Sequence, residues 1–179
     1  MKQFLFAVII LFSACNSNNQ STSFSDTTIA PVQIVLDTIP NWTYTEDIDK
    51  MDNTKQYGAG TNSLNEIEFQ PPYDGGSKFF LTVRKGKDAP DVYIRASKGQ
   101  FITGISGETK YRLKFDDEKP INVSASSTDD GRADIAFLSP TNKIIEKLKH
   151  SNKLIIEAIF YQEGYKTIEF NVSGFKWEH

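Results

Sequence analysis

Leu154-Ile155-Ile156-Glu157-Ala158-Ile159-Phe160 is the stretch of sequence that decides the fold. Its length and its β-branched residues predict a strand. Most side chains on both faces of this run are apolar, which implies that other elements pack on both faces, as they do for a central strand in a sheet. We therefore expect the chain to fold around this strand.

Short runs of alternating apolar and polar residues precede and follow it, and Gly, Pro and Asp separate them. This pattern predicts antiparallel strands. Asp129-Asp130-Gly131 favours a tight hairpin, because Asp and Gly both tolerate positive φ angles. The predicted strands cover residues 42–45, 64–69, 79–84, 92–96, 101–104, 110–115, 121–126, 133–137, 154–161 and 167–172.

One helix is predicted after the strand at 133–137. Ser139 is expected to cap it, and Pro140 suits its first turn. The residues Ile144, Ile145 and Leu148 fall on one face, as in an amphipathic helix that packs on a sheet. The sequence thus predicts an all-β class: an antiparallel β-sandwich or partly open barrel of about 8–10 strands with one short helix.

The first fifteen residues have the pattern of a secretory signal peptide. Lys2 precedes the apolar run 4–12, which is too short for a spanning helix of about 20 residues. Residues 11–15, Leu-Phe-Ser-Ala-Cys, resemble the lipobox of bacterial lipoproteins of the Bacteroidota type. The resemblance implies a signal peptide at 1–14, lipid on Cys15, which is the single cysteine of the chain, and attachment to a membrane through that lipid.

Residues 15–40 are rich in Ser, Thr and Asn and are expected to form a flexible tether. Residues 32–36 could instead form a first strand. Asp26-Thr27-Thr28 and Asp37-Thr38-Ile39 resemble the O-glycosylation sequence of Bacteroidota envelope proteins, which implies modification of Thr27 and Thr38. An unmodified linker is the alternative for each. Residues 41–179 are expected to form a single β-sandwich domain.

Composition excludes several functional classes. The formal net charge is −3 and no basic stripe is present, which argues against nucleic acid and against electrostatic docking on anionic lipid. His150 and His179 are the two histidines, so with Cys15 acylated too few ligands remain for a Cys/His zinc site. The acidic run 46–52 does not complete a calcium loop. We expect no cofactor, no metal and no enzymatic activity.

Exposed aromatic side chains are the remaining candidates for a binding site. Tyr73 lies in the Pro- and Gly-rich loop 71–76, and Trp177 lies beside Phe175 at the end of the sequence. Both are predicted to contact a ligand or partner. The alternatives are that the loop only supports a turn and that the apolar tail only holds the last strand in place.

Several spaced residues carry a resemblance to a known group of proteins. They are Trp42-x-Tyr44, Asp49-x-Met51, Phe115-Asp116, the helix from Ile144 to Leu148 with Ser151, Leu154-x-Ile156 and Phe170-x-Val172-x-Gly174. This order, spread from Trp42 to Trp177, resembles small envelope β-sandwich proteins of the type VI secretion accessory (VasI-like) kind. The resemblance implies a periplasmic accessory or binding module without known catalysis.

The favoured hypothesis is a lipoprotein that binds another envelope protein, anchored in the outer membrane and facing the periplasm. A carbohydrate-binding module is the alternative. A glycan binder should present two or more coplanar aromatic rings, whereas a protein binder should expose an edge strand or an apolar patch. An enzyme should show a concave pocket lined by titratable groups.

Overall fold

The structure, a computed structural model, describes residues 41–104 and 109–179. The predictions for Cys15, Thr27 and Thr38, the signal peptide at 1–14, the tether at 15–40 and the strand at 32–36 lie outside the described residues. Across the described ranges, no helix is long and apolar enough to cross a bilayer.

The described chain contains eleven strands and one helix. They are β1 (Thr43–Ile48), β2 (Lys55–Asn62), β3 (Ile67–Phe69), β4 (Gly75–Ser77), β5 (Phe79–Lys85), β6 (Asp91–Ala96), β7 (Thr109–Phe115), β8 (Ile121–Ser126), β9 (Ile135–Ser139), α1 (Thr141–Lys149), β10 (Lys153–Phe160) and β11 (Gly164–Asn171). Nine strands form one antiparallel sheet in the order β1-β2-β5-β6-β9-β8-β7-β10-β11, and β3 pairs with β4. The predicted antiparallel all-β class is confirmed, and the large sheet is not closed into a barrel.

The decisive run forms β10, which lies between β7 and β11. Leu154, Ile156, Ala158 and Phe160 point into the core, each at most 1% exposed. The opposite face is only half-buried, which corrects the expectation of full cover on both sides. Glu157 is the reason, because it pairs with Arg112 on β7 and keeps that face in contact with water.

The core is rich in aromatic rings around Phe160. Its ring centroid lies 4.7 Å from Phe101, 5.1 Å from Phe69 and 5.7 Å from Phe79. These rings come from β3, β5, β10 and a segment after β6, so one cluster joins distant parts of the sequence. The predicted apolar face of α1, Ile144, Ile145 and Leu148, is buried in the same core.

Four local predictions differ from the structure. Ser139 ends β9, and Pro140 is the N-cap of α1 without a side-chain cap hydrogen bond. Asp129-Asp130-Gly131 does not make a tight hairpin, because the last β8–β9 pair is Ser126 with Phe137; Gly131 instead donates to the Thr128 carbonyl within a longer loop. The segment 101–104 forms isolated bridges rather than a strand. β2 and β4 were not predicted.

Tyr111 on β7 should make the fold sensitive to alkaline pH. Its side chain is fully buried and donates to the Ile102 carbonyl at 3.0 Å, and burial raises its pKa far above the ordinary value. Tyr111 ionises at about pH 10 only in the unfolded chain. Its contribution to the free energy of unfolding is therefore complete below about pH 10, and above that pH it falls by up to about 1.4 kcal/mol per pH unit. Chemical denaturation between pH 8 and 11 measures this slope. Tyr111→Phe should be less stable at pH 8 but should show a smaller alkaline loss; an unchanged slope would contradict the assignment.

Candidate binding surfaces

One edge of the large sheet is sealed by a side chain. β11 pairs with β10, and its other edge meets the segment 63–65. The Asn65 amide donates to the Thr167 carbonyl at 2.9 Å and accepts from the Glu169 N–H at 2.8 Å, while the Leu64 N–H donates to the Glu169 carbonyl at 2.7 Å. Asn65 therefore satisfies the backbone groups of β11 as a neighbouring strand would.

The opposite edge of the sheet, β1, is open. Among the described residues β1 pairs with β2 alone, and all six of its residues are exposed. The Tyr44 hydroxyl accepts a hydrogen bond from the Lys176 N–H at 2.8 Å, but no backbone hydrogen bond joins β1 to another described strand. An open edge presents unpaired N–H and C=O groups, which is the requirement for adding an extended peptide.

Two depressions lie on the two sides of β1. The Asp47 depression, of about 440 Å³, is lined by Asp47, Gly58 and the loop 85–89. The His179 depression, of about 230 Å³, is lined by Tyr44, Glu46 and the chain's last residues. Thr45 borders both. Since side chains of a strand alternate between faces, a strand added to β1 would direct successive side chains toward one depression and then the other.

Gly58 keeps the Asp47 depression open. A Cβ atom at this position would lie 2.5 Å from Thr45 Oγ1, so any other residue would require the Thr45 side chain to move. Gly58 is paired with Thr45 in the β1–β2 register. The glycine thus makes room for the Thr45 side chain at the floor of the Asp47 depression.

The two aromatic residues predicted as contacts are placed differently. Trp177 is 6% exposed and stacks with Phe175 at 6.2 Å, so its ring belongs to the core. Tyr73 is half-buried against the core, and its hydroxyl accepts from Gln100 Nε2 at 2.6 Å. Contact of either residue with a ligand or partner stays a prediction. Trp177 lines the His179 depression beside β1, whereas Tyr73 lines neither of the two depressions beside that strand.

A third depression, the Arg84 cleft of about 740 Å³, lies on the outer face of β6 and β9. The Arg84 guanidinium lies 5.4 Å from the Tyr93 ring centroid and 5.8 Å from that of Phe137, and it donates to Asp91 Oδ2 at 3.0 Å. The Tyr93 and Phe137 planes are inclined by 54°. The rings are therefore not coplanar, and a cation already covers them.

Two of the arginines that line the Arg84 cleft form ion pairs, Arg84 with Asp91 and Arg132 with Asp134. Three arginines and three aspartates line it. The Thr128 hydroxyl lowers the pKa of Asp130, and the Arg132 guanidinium lowers the pKa of the neighbouring Asp134. A general acid needs a carboxyl group whose pKa is raised. Throughout the described residues, every carboxyl group with a shifted pKa has it lowered.

The remaining candidate ligands serve the fold. Asp49 Oδ1 accepts from the Met51 N–H at 2.8 Å, and Asp52 Oδ1 accepts from the Thr54 N–H at 2.9 Å. The His179 ring stacks on Tyr57 with centroids 3.6 Å apart, and His150 forms the C-cap of α1. In the described part of the chain, no group of three or more His, Cys, Asp or Glu residues could hold a metal ion.

Comparison of the chain with protein-family models, with curated proteins and with solved structures finds no match. The function is therefore argued from the surfaces themselves. The open edge of β1 was not anticipated, because β2, the partner that makes β1 an edge, was not predicted. A signal for it exists in the run of exposed polar residues Thr43-Tyr44-Thr45-Glu46-Asp47, which is typical of an edge strand.

Proposed function

We propose that this protein is a non-catalytic, lipid-anchored envelope module that binds an extended segment of another envelope protein along β1. The observation that carries the proposal is the asymmetry of the two sheet edges: Asn65 seals β11, whereas no other strand of residues 41–104 and 109–179 pairs with the free side of β1, whose six residues are exposed. Backbone pairing along such an edge supplies affinity, and the flanking depressions supply selectivity for side chains. Lipid on Cys15 would hold the module at the membrane surface.

The alternatives receive less support from the geometry. Tyr93 and Phe137 do not make the flat platform expected for a carbohydrate-binding module. The Arg84 cleft has the titratable groups expected of an enzyme, but Arg84 is held by Asp91, and the Thr128 hydroxyl lowers the pKa of Asp130, opposite to the shift that a general acid needs. A protein-binding role needs neither feature.

Site-specific cross-linking from native membranes tests the proposal. A thiol-directed photo-cross-linker would be attached to Thr45→Cys and, separately, to Ile48→Cys, both on β1. Asn122→Cys is the matched control, because Asn122 is exposed on β8, a strand paired on both sides. We expect both β1 positions to yield the same cross-linked protein, and the control to yield none of it. Equal yields from β1 and from Asn122 would contradict strand addition.

A further inference from the structure

We propose that the segment that pairs with β1 is basic, with lysine or arginine side chains that contact Asp47 on one face of the sheet and Glu46 on the other. This inference rests on the proposed function and names the chemistry of the partner. It is carried by the charges of the open edge, by their existing partners and by the two depressions beside them.

The open edge is acidic along its second half. Glu46 and Asp47 are consecutive residues of β1, so their side chains point to opposite faces. Glu46 Oε1 is 2.7 Å from Lys55 Nζ, and this lysine lowers the pKa of the glutamate. Among the described residues, none forms an ion pair with Asp47. Each face of an added strand would therefore meet one carboxylate.

The acidic edge disfavours a second copy of this protein as the occupant. Antiparallel pairing of two β1 strands over their full length would place Glu46 of each copy diagonally across from Asp47 of the other, on the same face of the sheet. Like charges at such positions destabilise a sheet, and opposite charges stabilise it by about 0.2–1 kcal/mol per pair. A basic segment of another protein would avoid the repulsion between carboxylates and would place lysine or arginine side chains opposite Glu46 and Asp47.

The depressions suit long basic side chains. Lysine and arginine have apolar stems that cover surface while the charged group stays near water. On the outer face, the Asp47 depression of about 440 Å³ has room for such a stem beside Asp47. On the other face, the stacked rings of Tyr57 and His179 offer an apolar wall close to Glu46. Other charged residues of both signs line the Asp47 depression too: Arg84, Lys85, Lys87, Asp88 and Asp91. Its formal charges therefore balance, and contact with Asp47 itself, rather than the overall charge, selects the basic side chain.

Two synthetic peptides test the inference against the mature full-length protein in zwitterionic detergent. One is a nine-residue peptide of alternating threonine and lysine, and the other has glutamate in place of lysine. We expect the lysine peptide to bind about tenfold more tightly, by fluorescence anisotropy, and the difference to shrink as salt is raised. Hydrogen exchange should show protection of the amides at 43–48 by the lysine peptide.

Charge reversal supplies the matched variants. The double variant Glu46→Lys/Asp47→Lys should reverse the order of the two affinities. Asp117→Lys/Glu118→Lys makes the same change in the turn between β7 and β8 and should preserve the original order. Equal binding of both peptides with protection of 43–48 would overturn the basic preference and leave strand addition standing. Binding of neither peptide at 1 mM, or protection elsewhere than at 43–48, would overturn both.

Discussion

Replacing Phe160 with alanine is expected to lower the free energy of unfolding by about 3–5 kcal/mol. Phe160 is 1% exposed, and its ring contacts the rings of Phe69, Phe79 and Phe101. Alanine would remove the side chain at which these three rings meet and leave a cavity between elements that are distant in sequence. Urea denaturation followed by tryptophan fluorescence measures the loss, since Trp42 and Trp177 are both buried.

Phe80→Ala is the matched control for this prediction. Phe80 carries the same side chain, but it lies half-buried on the outer face of β5, where Arg95 covers its ring at 5.9 Å. The same chemical change should cost less than half as much there, because no enclosed cavity forms. Similar losses from the two variants would show that the aromatic cluster is not the centre of the core.

Replacing Asp116 with alanine is expected to cost about 2–4 kcal/mol. Asp116 Oδ1 accepts from the Asn152 N–H at 3.0 Å and from the Lys153 N–H at 2.8 Å, which connects the end of β7 with the start of β10. Its φ angle of 44° lies in the left-handed region, which alanine adopts only with strain. Alanine thus loses two hydrogen bonds and adds backbone strain at one position.

Two further variants separate these contributions. Asp116→Asn keeps an acceptor oxygen and tolerates positive φ, so we expect it to lose less than about 1.5 kcal/mol. Asp116→Gly relieves the backbone strain but has no acceptor, so it should fall between asparagine and alanine. Thermal unfolding of the three variants measures the order. A glycine variant as stable as the asparagine variant would show that the carboxylate contributes little.

The sequence predicted those elements whose side chains follow a simple period. β10 alternates buried and half-buried residues, and the apolar face of α1 is formed by the three residues expected. β2 was missed because Gly58 and Gly60 are residues that strands usually avoid. The structural role of these glycines follows only from the neighbouring strands, since Gly58 makes room for Thr45 on β1 and the Phe80 ring of β5 lies over Gly60. β4 was missed for a related reason, since Gly75-Gly76 reads as a turn.

The asymmetry of the two sheet edges depends on contacts that no local sequence pattern contains. Asn65 reaches a carbonyl 102 positions away in the chain, and nothing in its neighbours distinguishes it from an ordinary loop asparagine. Exposure of the aromatic residues was equally hard to judge, because burial of Trp177 depends on how the tail returns to Trp42 and Phe175. Predicting which edge is sealed requires knowing which strands are neighbours.

The Asn65 amide also determines how many molecules can be joined through this sheet. With β11 blocked, β1 is the one edge of the large sheet that stays unpaired among the described residues. A sheet with two free edges can add a strand on each side and grow into a ribbon, whereas a sheet with one free edge can add only one strand. Strand addition at β1, as proposed, would therefore join this sheet to its partner in a one-to-one ratio.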